Sequence, residues 1–289
     1  PRAQPSPRPN RFAMSRRSSR SSSRRSRRNG GGQTPWGAIA KVAGGGSVLA
    51  ALGVVFFMVN QKAEATDPST WCNRAGPAEV HLILLDASDP LDGVQAETAR
   101  AKVVSAIRAA PANARVDIYL ADRGDGSLGE PIFSKCNPGQ PGAFDAAISD
   151  VEKKKRDYEQ GYLAAVEETM AKVLQVEPAK TSPIIESLRS AATKSFARLP
   201  ASTPVTITLI SDMVQNSPML RQSKGATEFD AFKKSAGWSS ALVDLHHARI
   251  SIVYVTRANY RDVQSNAHIN WWSQYFDAMN GTLLESEAI

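Results

Sequence analysis

Two cysteines in 289 residues are too few for a disulfide framework, and four scattered histidines offer no H-E-x-x-H spacing for a zinc hydrolase. No G-x-S-x-G segment is present, so the strand-turn-helix elbow of a serine hydrolase is missing. Acids are absent from the first 28 residues, which hold ten arginines. The formal net charge of +7 therefore belongs to that stretch, and the rest of the chain is mildly acidic. This excludes a basic globular domain. Phe12 is the one aromatic residue among these arginines and none lies within Arg16–Arg28 to stack on bases, so specific nucleic-acid binding is not expected. Residues 1–35 are rich in Arg, Ser, Pro and Gly, a composition that predicts a disordered tail suited to contact with anionic lipid.

One long apolar run exists. Val42–Val59 is free of charge for eighteen residues and is flanked by Lys41 and Lys62. At about 1.5 Å per residue it matches the hydrocarbon thickness of a bilayer. A single membrane-spanning helix is predicted within 36–62, and the arginine block places the N-terminus in the cytoplasm of a bacterial cell. The body is then exported across the inner membrane. A cleaved signal ending at Ala63-Glu64-Ala65 is the alternative and has the same consequence for the body. Gly46, Ala50 and Gly53 lie near one helix face, a pattern that permits self-association. A linker over 63–77 and one domain over 78–289 complete the predicted organisation.

In the body, strands alternate with helices. Val80–Leu85 is nearly continuous in apolar residues, as expected for a central parallel strand covered on both faces, Val205–Ile210 is the next buried strand, and Ile250–Val255 is another strand. Val116–Leu120 alternates like a more exposed strand, and Ile132–Cys136 is a short partner. Helical patterns cover Leu91–Ala109 (Val94, Thr98, Ala101, Val104 and Ile107 on one face), Phe144–Val176, Pro183–Arg198, Glu228–Leu245 and Ala267–Met279, with a last short strand near Thr282. The predicted fold is α/β, a doubly wound, mainly parallel, Rossmann-like sheet with helices on both faces. Ligands of such sheets gather at the carboxyl ends of the strands. Asp86 and Asp212 occupy two such ends.

Asp86 and Ser88 stand two residues apart in the first strand-to-helix loop, followed by Asp89 and Pro90. Thr181 and Ser182 precede a helix, and Asp212 follows another strand. A few hard oxygen donors suit Mg²⁺ that keeps an open position, into which an acidic side chain of a protein partner can coordinate. The order of elements and these three loops resemble a von Willebrand factor type A domain with its metal-ion-dependent adhesion site, D-x-S-x-S, then Thr, then Asp. The resemblance covers residues 78–286. It implies a metal set of Asp86, Ser88, Ser182 and Asp212, with Asp89 and Thr181 as further candidates. Pro90 stands where the pattern has its second Ser, so the site is degenerate. N-capping is the bland role open to Asp86, Ser88 and Asp89.

Three function classes follow. The preferred one is a membrane-anchored protein-binding module and not an enzyme. The second is a metal-free scaffold component of an envelope assembly. The third is a metal-dependent phosphotransfer hydrolase with Asp86 as nucleophile, as in haloacid-dehalogenase-like enzymes, although Ser88 stands where their second acid belongs.

Other features read as structural. Gly124-Asp125-Gly126-Ser127-Leu128-Gly129 precedes a strand and not a helix, so it predicts a hairpin loop. The Arg123-Gly124-Asp125 triplet within it matches an integrin-recognition triplet by letter only. Lys153–Arg156 lies on a charged helical region long enough to project from the body. Trp271 and Trp272 are adjacent, so one of them is expected at the surface. The fold brings Cys72 and Cys136 to the same end of the sheet, where a disulfide would suit an exported domain, with two buried thiols as the alternative.

Overall fold

The computed structural model describes residues 50, 52–56, 66–86, 88–121, 127–141, 151–173, 179, 181–224 and 228–289. The chain divides into two compact units, Pro1–Phe57 and Met58–Ile289. In the first, residues 50 and 52–56 are helical. Most of the apolar run Val42–Val59 and all of the arginine block lie outside the described residues. Among the described residues no helix is long and apolar enough to cross a membrane.

The second unit is α/β. Its strands are β1 (Glu79–Asp86), β2 (Ala114–Ala121), β3 (Phe133–Cys136), β4 (Val205–Ser211), β5 (Ala248–Tyr254) and β6 (Gly281–Ala288). They form a mixed sheet in the order β3-β2-β1-β4-β5-β6, with β3 antiparallel to β2 and the remaining pairs parallel. The helices are α1 (Gly93–Ala109), α2 (Val151–Arg156), α3 (Ala164–Val173), α4 (Ile184–Phe196), α5 (Phe229–Lys233), α6 (Trp238–Ala241) and α7 (Asn266–Ala278). A π-helical stretch, Asp157–Leu163, joins α2 to α3.

Successive side chains of a strand point to opposite faces, and β1 divides its residues accordingly. Val80, Leu82 and Leu84 enter a core with α4, α5, α6 and α7, whereas Ile83 and Leu85 enter a second core with α1, the π-helical stretch and α3. Burial on both faces explains why β1 carries an almost unbroken apolar run. β2 is also mostly buried, contrary to the exposure its alternation suggests. One of its charges, Asp117, is accommodated by Arg115 Nε (2.9 Å) and Ser134 Oγ (2.7 Å).

Several helices differ from the sequence reading. The buried face of α1 is Gln95, Ala99, Val103 and Ile107, displaced from the predicted stripe, and Val94 is exposed. Asp92 caps this helix, and Gln95 turns inward because its amide reaches the Thr256 carbonyl (3.1 Å). The helix predicted over Glu228–Leu245 is broken into α5 and α6. A Cβ at Gly237 would lie 2.8 Å from the Met219 carbonyl oxygen, so only glycine admits that approach. The charged region does not project where it is described: Tyr158, Tyr162, Val166 and Met170 recur every fourth residue and pack into the second core. Both Trp271 and Trp272 are buried. The short α5 lies over α7, so Trp271 meets Phe229 and Phe232 (centroids 5.5 Å each) while Trp272 gives its indole N–H to the Met213 carbonyl (2.9 Å).

Cys72 and Cys136 are joined in a disulfide with Cα atoms 4.8 Å apart, which fastens the segment before β1 to β3. The hairpin loop with Arg123-Gly124-Asp125 lies outside the described residues.

Candidate functional site

The strand order reverses between β1 and β4, and register aligns their carboxyl ends. Leu85 pairs with Ile210, and Ser211 pairs with Tyr254 of β5. Asp86, Ser211-Asp212 and the residues after Tyr254 therefore share one edge of the sheet, the edge at which ligands of such folds gather.

Asp86 receives donors from three segments. Its Oδ1 accepts the Ser88 backbone N–H (2.9 Å), and its Oδ2 accepts the hydroxyls of Ser211 (2.7 Å) and Ser182 (3.0 Å). Ser182 is brought there by paired backbone bonds with Asn216, from Ser182 N to Asn216 O (3.0 Å) and back (2.9 Å). Ser88 is buried, and its carbonyl accepts the Ala179 N–H (2.7 Å), which draws the β1 loop toward the segment before α4.

Asp212 is nearly inaccessible, with 4% of its surface exposed. Its Oδ1 accepts the Val214 N–H (2.8 Å), and its Oδ2 lies 4.0 Å from Arg257 Nε. Burial, reinforced by the Asp86 charge, pushes its carboxyl up to about 7. The turn after Asp212 is fixed by Met213 in the left-handed region (φ 60°). A buried network extends from there. Gln215 donates to Glu186 (2.8 Å) and Ser217 (2.9 Å), Gln222 meets both Gln215 N (3.2 Å) and His268 Nε2 (3.1 Å), and the Tyr254 hydroxyl reaches His268 Nδ1 (2.7 Å).

Asp86, Ser88, Ser182 and Asp212 thus come together at this edge. Thr181 is half-buried and directly precedes Ser182 in the same segment, and Asp89 contributes its carbonyl to Arg257 and its charge to the field at Asp212. Three residues were missed as members. Ser211 supplies a hydroxyl to Asp86, Arg257 bonds the Asp89 and Pro90 carbonyls, and Gln264 holds the Asp212 carbonyl (3.1 Å) and Arg257 N (2.7 Å). The signal for two of them is positional. Ser211 and Arg257 end or follow buried parallel strands, where ligand-side residues collect.

A hard cation fits this donor chemistry in part. Two carboxylates, one of them nearly inaccessible, and the hydroxyls of Ser182 and Ser211 are oxygen donors of the kind Mg²⁺ accepts, while Ser88 meets Asp86 through its backbone N–H. Among the described residues no group of three or more His, Cys, Asp or Glu could hold a metal ion, so any such site depends on hydroxyls and water.

No family model matches the sequence, and no curated protein matches it. Among solved structures, the chain is similar to the PilB minor pilin from Streptococcus sanguinis, at TM-score 0.38 and 12% identity over 74% of this chain and 57% of that one. An aspartate-to-alanine mutant of the same pilin gives TM-score 0.37 and 9% identity over 74% and 58%. This chain spans less than two thirds of those pilin chains. The likeness is distant, and no residue role is carried across.

Proposed function

We propose that the Met58–Ile289 unit is a protein-recognition module of the von Willebrand factor A type, displayed outside the membrane by the N-terminal anchor, and that it engages a partner at the carboxyl edge of its sheet. The convergence of the Ser182 and Ser211 hydroxyls on Asp86 beside buried Asp212 carries this reading. Asp86, Ser88, Ser182 and Asp212 would hold Mg²⁺, with Ser211 as a neighbouring hydroxyl that the Pro90 position cannot supply. The cation would contribute an open coordination position for an acidic side chain of the partner. The protein's own part is to fix Asp86 through three donors and to keep Asp212 away from bulk water.

Calorimetric titration of the chain with Mg²⁺ or Mn²⁺ tests the site. Binding that disappears in Asp86→Ala is expected; no heat from the wild-type chain, or equal heats from both, would remove the metal from the reading. A metal-free scaffold is the second reading, and a specific observation favours it: Arg257 already places a positive charge beside Asp212.

A further inference from the structure

Arg257 follows β5 and reaches the loop that leads into α1, next to Thr256, whose carbonyl accepts from Gln95 of that helix. One Nη donates to the Pro90 carbonyl and the other to the Asp89 carbonyl (2.9 Å). Its Nε is buried, has no hydrogen-bond partner among the described residues and lies 4.0 Å from Asp212 Oδ2. Its backbone N–H is held by Gln264 Oε1 (2.7 Å), and the Gln264 amide in turn donates to the Asp212 (3.1 Å) and Val255 (2.8 Å) carbonyls. The guanidinium therefore ties the Asp89-Pro90 loop, the Asp212 turn and the end of β5 into one unit, while leaving one buried donor unspent. A buried donor without an acceptor is costly, and such an arrangement persists only when something else compensates it. Here the compensation is charge: a cation a few ångströms from a buried carboxylate.

We propose that Arg257 is a resident counter-ion that competes with a divalent cation for the field of Asp86 and Asp212, so that the resting site is held by arginine and opens to metal only at the expense of that contact. The inference rests on the metal reading above and assigns Arg257 the role of setting affinity. Two positive centres cannot share this pair of carboxylates without repulsion, because Asp212 is nearly inaccessible and screening by salt is weak around a buried charge. The Pro90 position has the same sense. Where a further hydroxyl would have added a metal ligand, the backbone carbonyl instead accepts from the guanidinium.

The test is calorimetric titration of the 289-residue chain in detergent with Mn²⁺, comparing wild type with Arg257→Gln, Arg257→Lys and Asp86→Ala. Arg257→Gln is expected to bind Mn²⁺ about tenfold more tightly than wild type or to reveal binding where wild type has none, as removal of a like charge predicts. Arg257→Lys keeps the charge and is expected to show no such gain. Arg257→Met keeps the aliphatic stem and takes the place of the Gln variant if that variant does not fold. Wild-type binding with equal or weaker binding in the folded neutral variants would overturn the role of Arg257 and leave the metal reading intact. No binding by wild type or by either neutral variant would overturn both.

Discussion

Ser211 shows how much a single side chain can hold at this edge. Its hydroxyl donates to Asp86 and accepts the Met213 N–H (2.8 Å), so it joins the end of β1 to the turn that presents Asp212. Ser211→Ala leaves a buried N–H without its acceptor, and stability should fall by about 1–3 kcal/mol in urea unfolding. A change below a few tenths would show that the turn is held without it. Ionisation provides a second prediction at this scale. Asp212 titrates near 7 in the folded chain against an ordinary 3.8, so its contribution to stability is full below about 4 and is lost as pH rises through 7. His268 has the opposite sign. Burial lowers it from 6.5 to about 4, so its contribution is full above 6.5 and is lost as pH falls through 4. The two oppose each other between those limits, and above 6.5 Asp212 acts alone. In metal-free buffer, stability should therefore decline from pH 6.5 to 8 by on the order of 1 kcal/mol, and Asp212→Asn should flatten that decline. An unchanged slope in Asp212→Asn would assign it to another group.

At the scale of elements, the breaks matter as much as the helices. Gly237 separates α5 from α6 under the Met219 carbonyl, so that Phe229 and Phe232 of α5 cover Trp271 while Trp238 of α6 packs on the same two rings. Gly237→Ala would bring a Cβ to 2.8 Å from that oxygen, a backbone atom that cannot yield as a flexible side chain does. A loss of about 1–3 kcal/mol is expected, together with a change in the Trp fluorescence of the folded state; wild-type values for both would mean that the loop shifts freely. The sequence shows the continuous helix pattern but not the break, because close approach of Met219 is a tertiary fact. The same limit applied to α1. Its apolar stripe predicted the helix, whereas the face was decided by Gln95, a polar residue that turns inward for the carbonyl of Thr256 from a distant loop. Strands were more legible. β1 announces itself because two-sided burial demands a nearly unbroken apolar run, β4 and β5 through the apolar residues at their carboxyl halves, and the ends of β1 and β4 located Asp86 and Asp212 directly. Ser211 and Arg257 carry only a position at strand ends, and Gln264, which joins by hydrogen bonding alone, carries no pattern of its own.

For the whole molecule, the informative link is the one that ties the start of the folded unit to its sheet. Cys72 and Cys136 close a loop of sequence separation 64, and the Cys136 N–H also donates to the Thr70 carbonyl (2.8 Å). Trp71 adds packing. A Cβ at Gly161 would come within 2.4 Å of its ring, so glycine is what lets the π-helical stretch seat the indole, and Lys135 lies over the ring at 4.3 Å. Closing a loop of this length restrains the unfolded chain by about 4 kcal/mol in the chain-entropy account. Replacing both cysteines by serine should lower stability by that order while leaving the sheet intact, as circular dichroism would show. The bond also bears on the direction in which the arginine tail orients the chain, since disulfides persist in oxidising compartments. In intact bacterial cells producing the chain, a maleimide added after rapid acid quenching should label neither cysteine unless a reductant is supplied first. Labelling of both without reductant would mean that the unit remains in a reducing compartment, and the export predicted from the arginine block and the apolar run would fail with it.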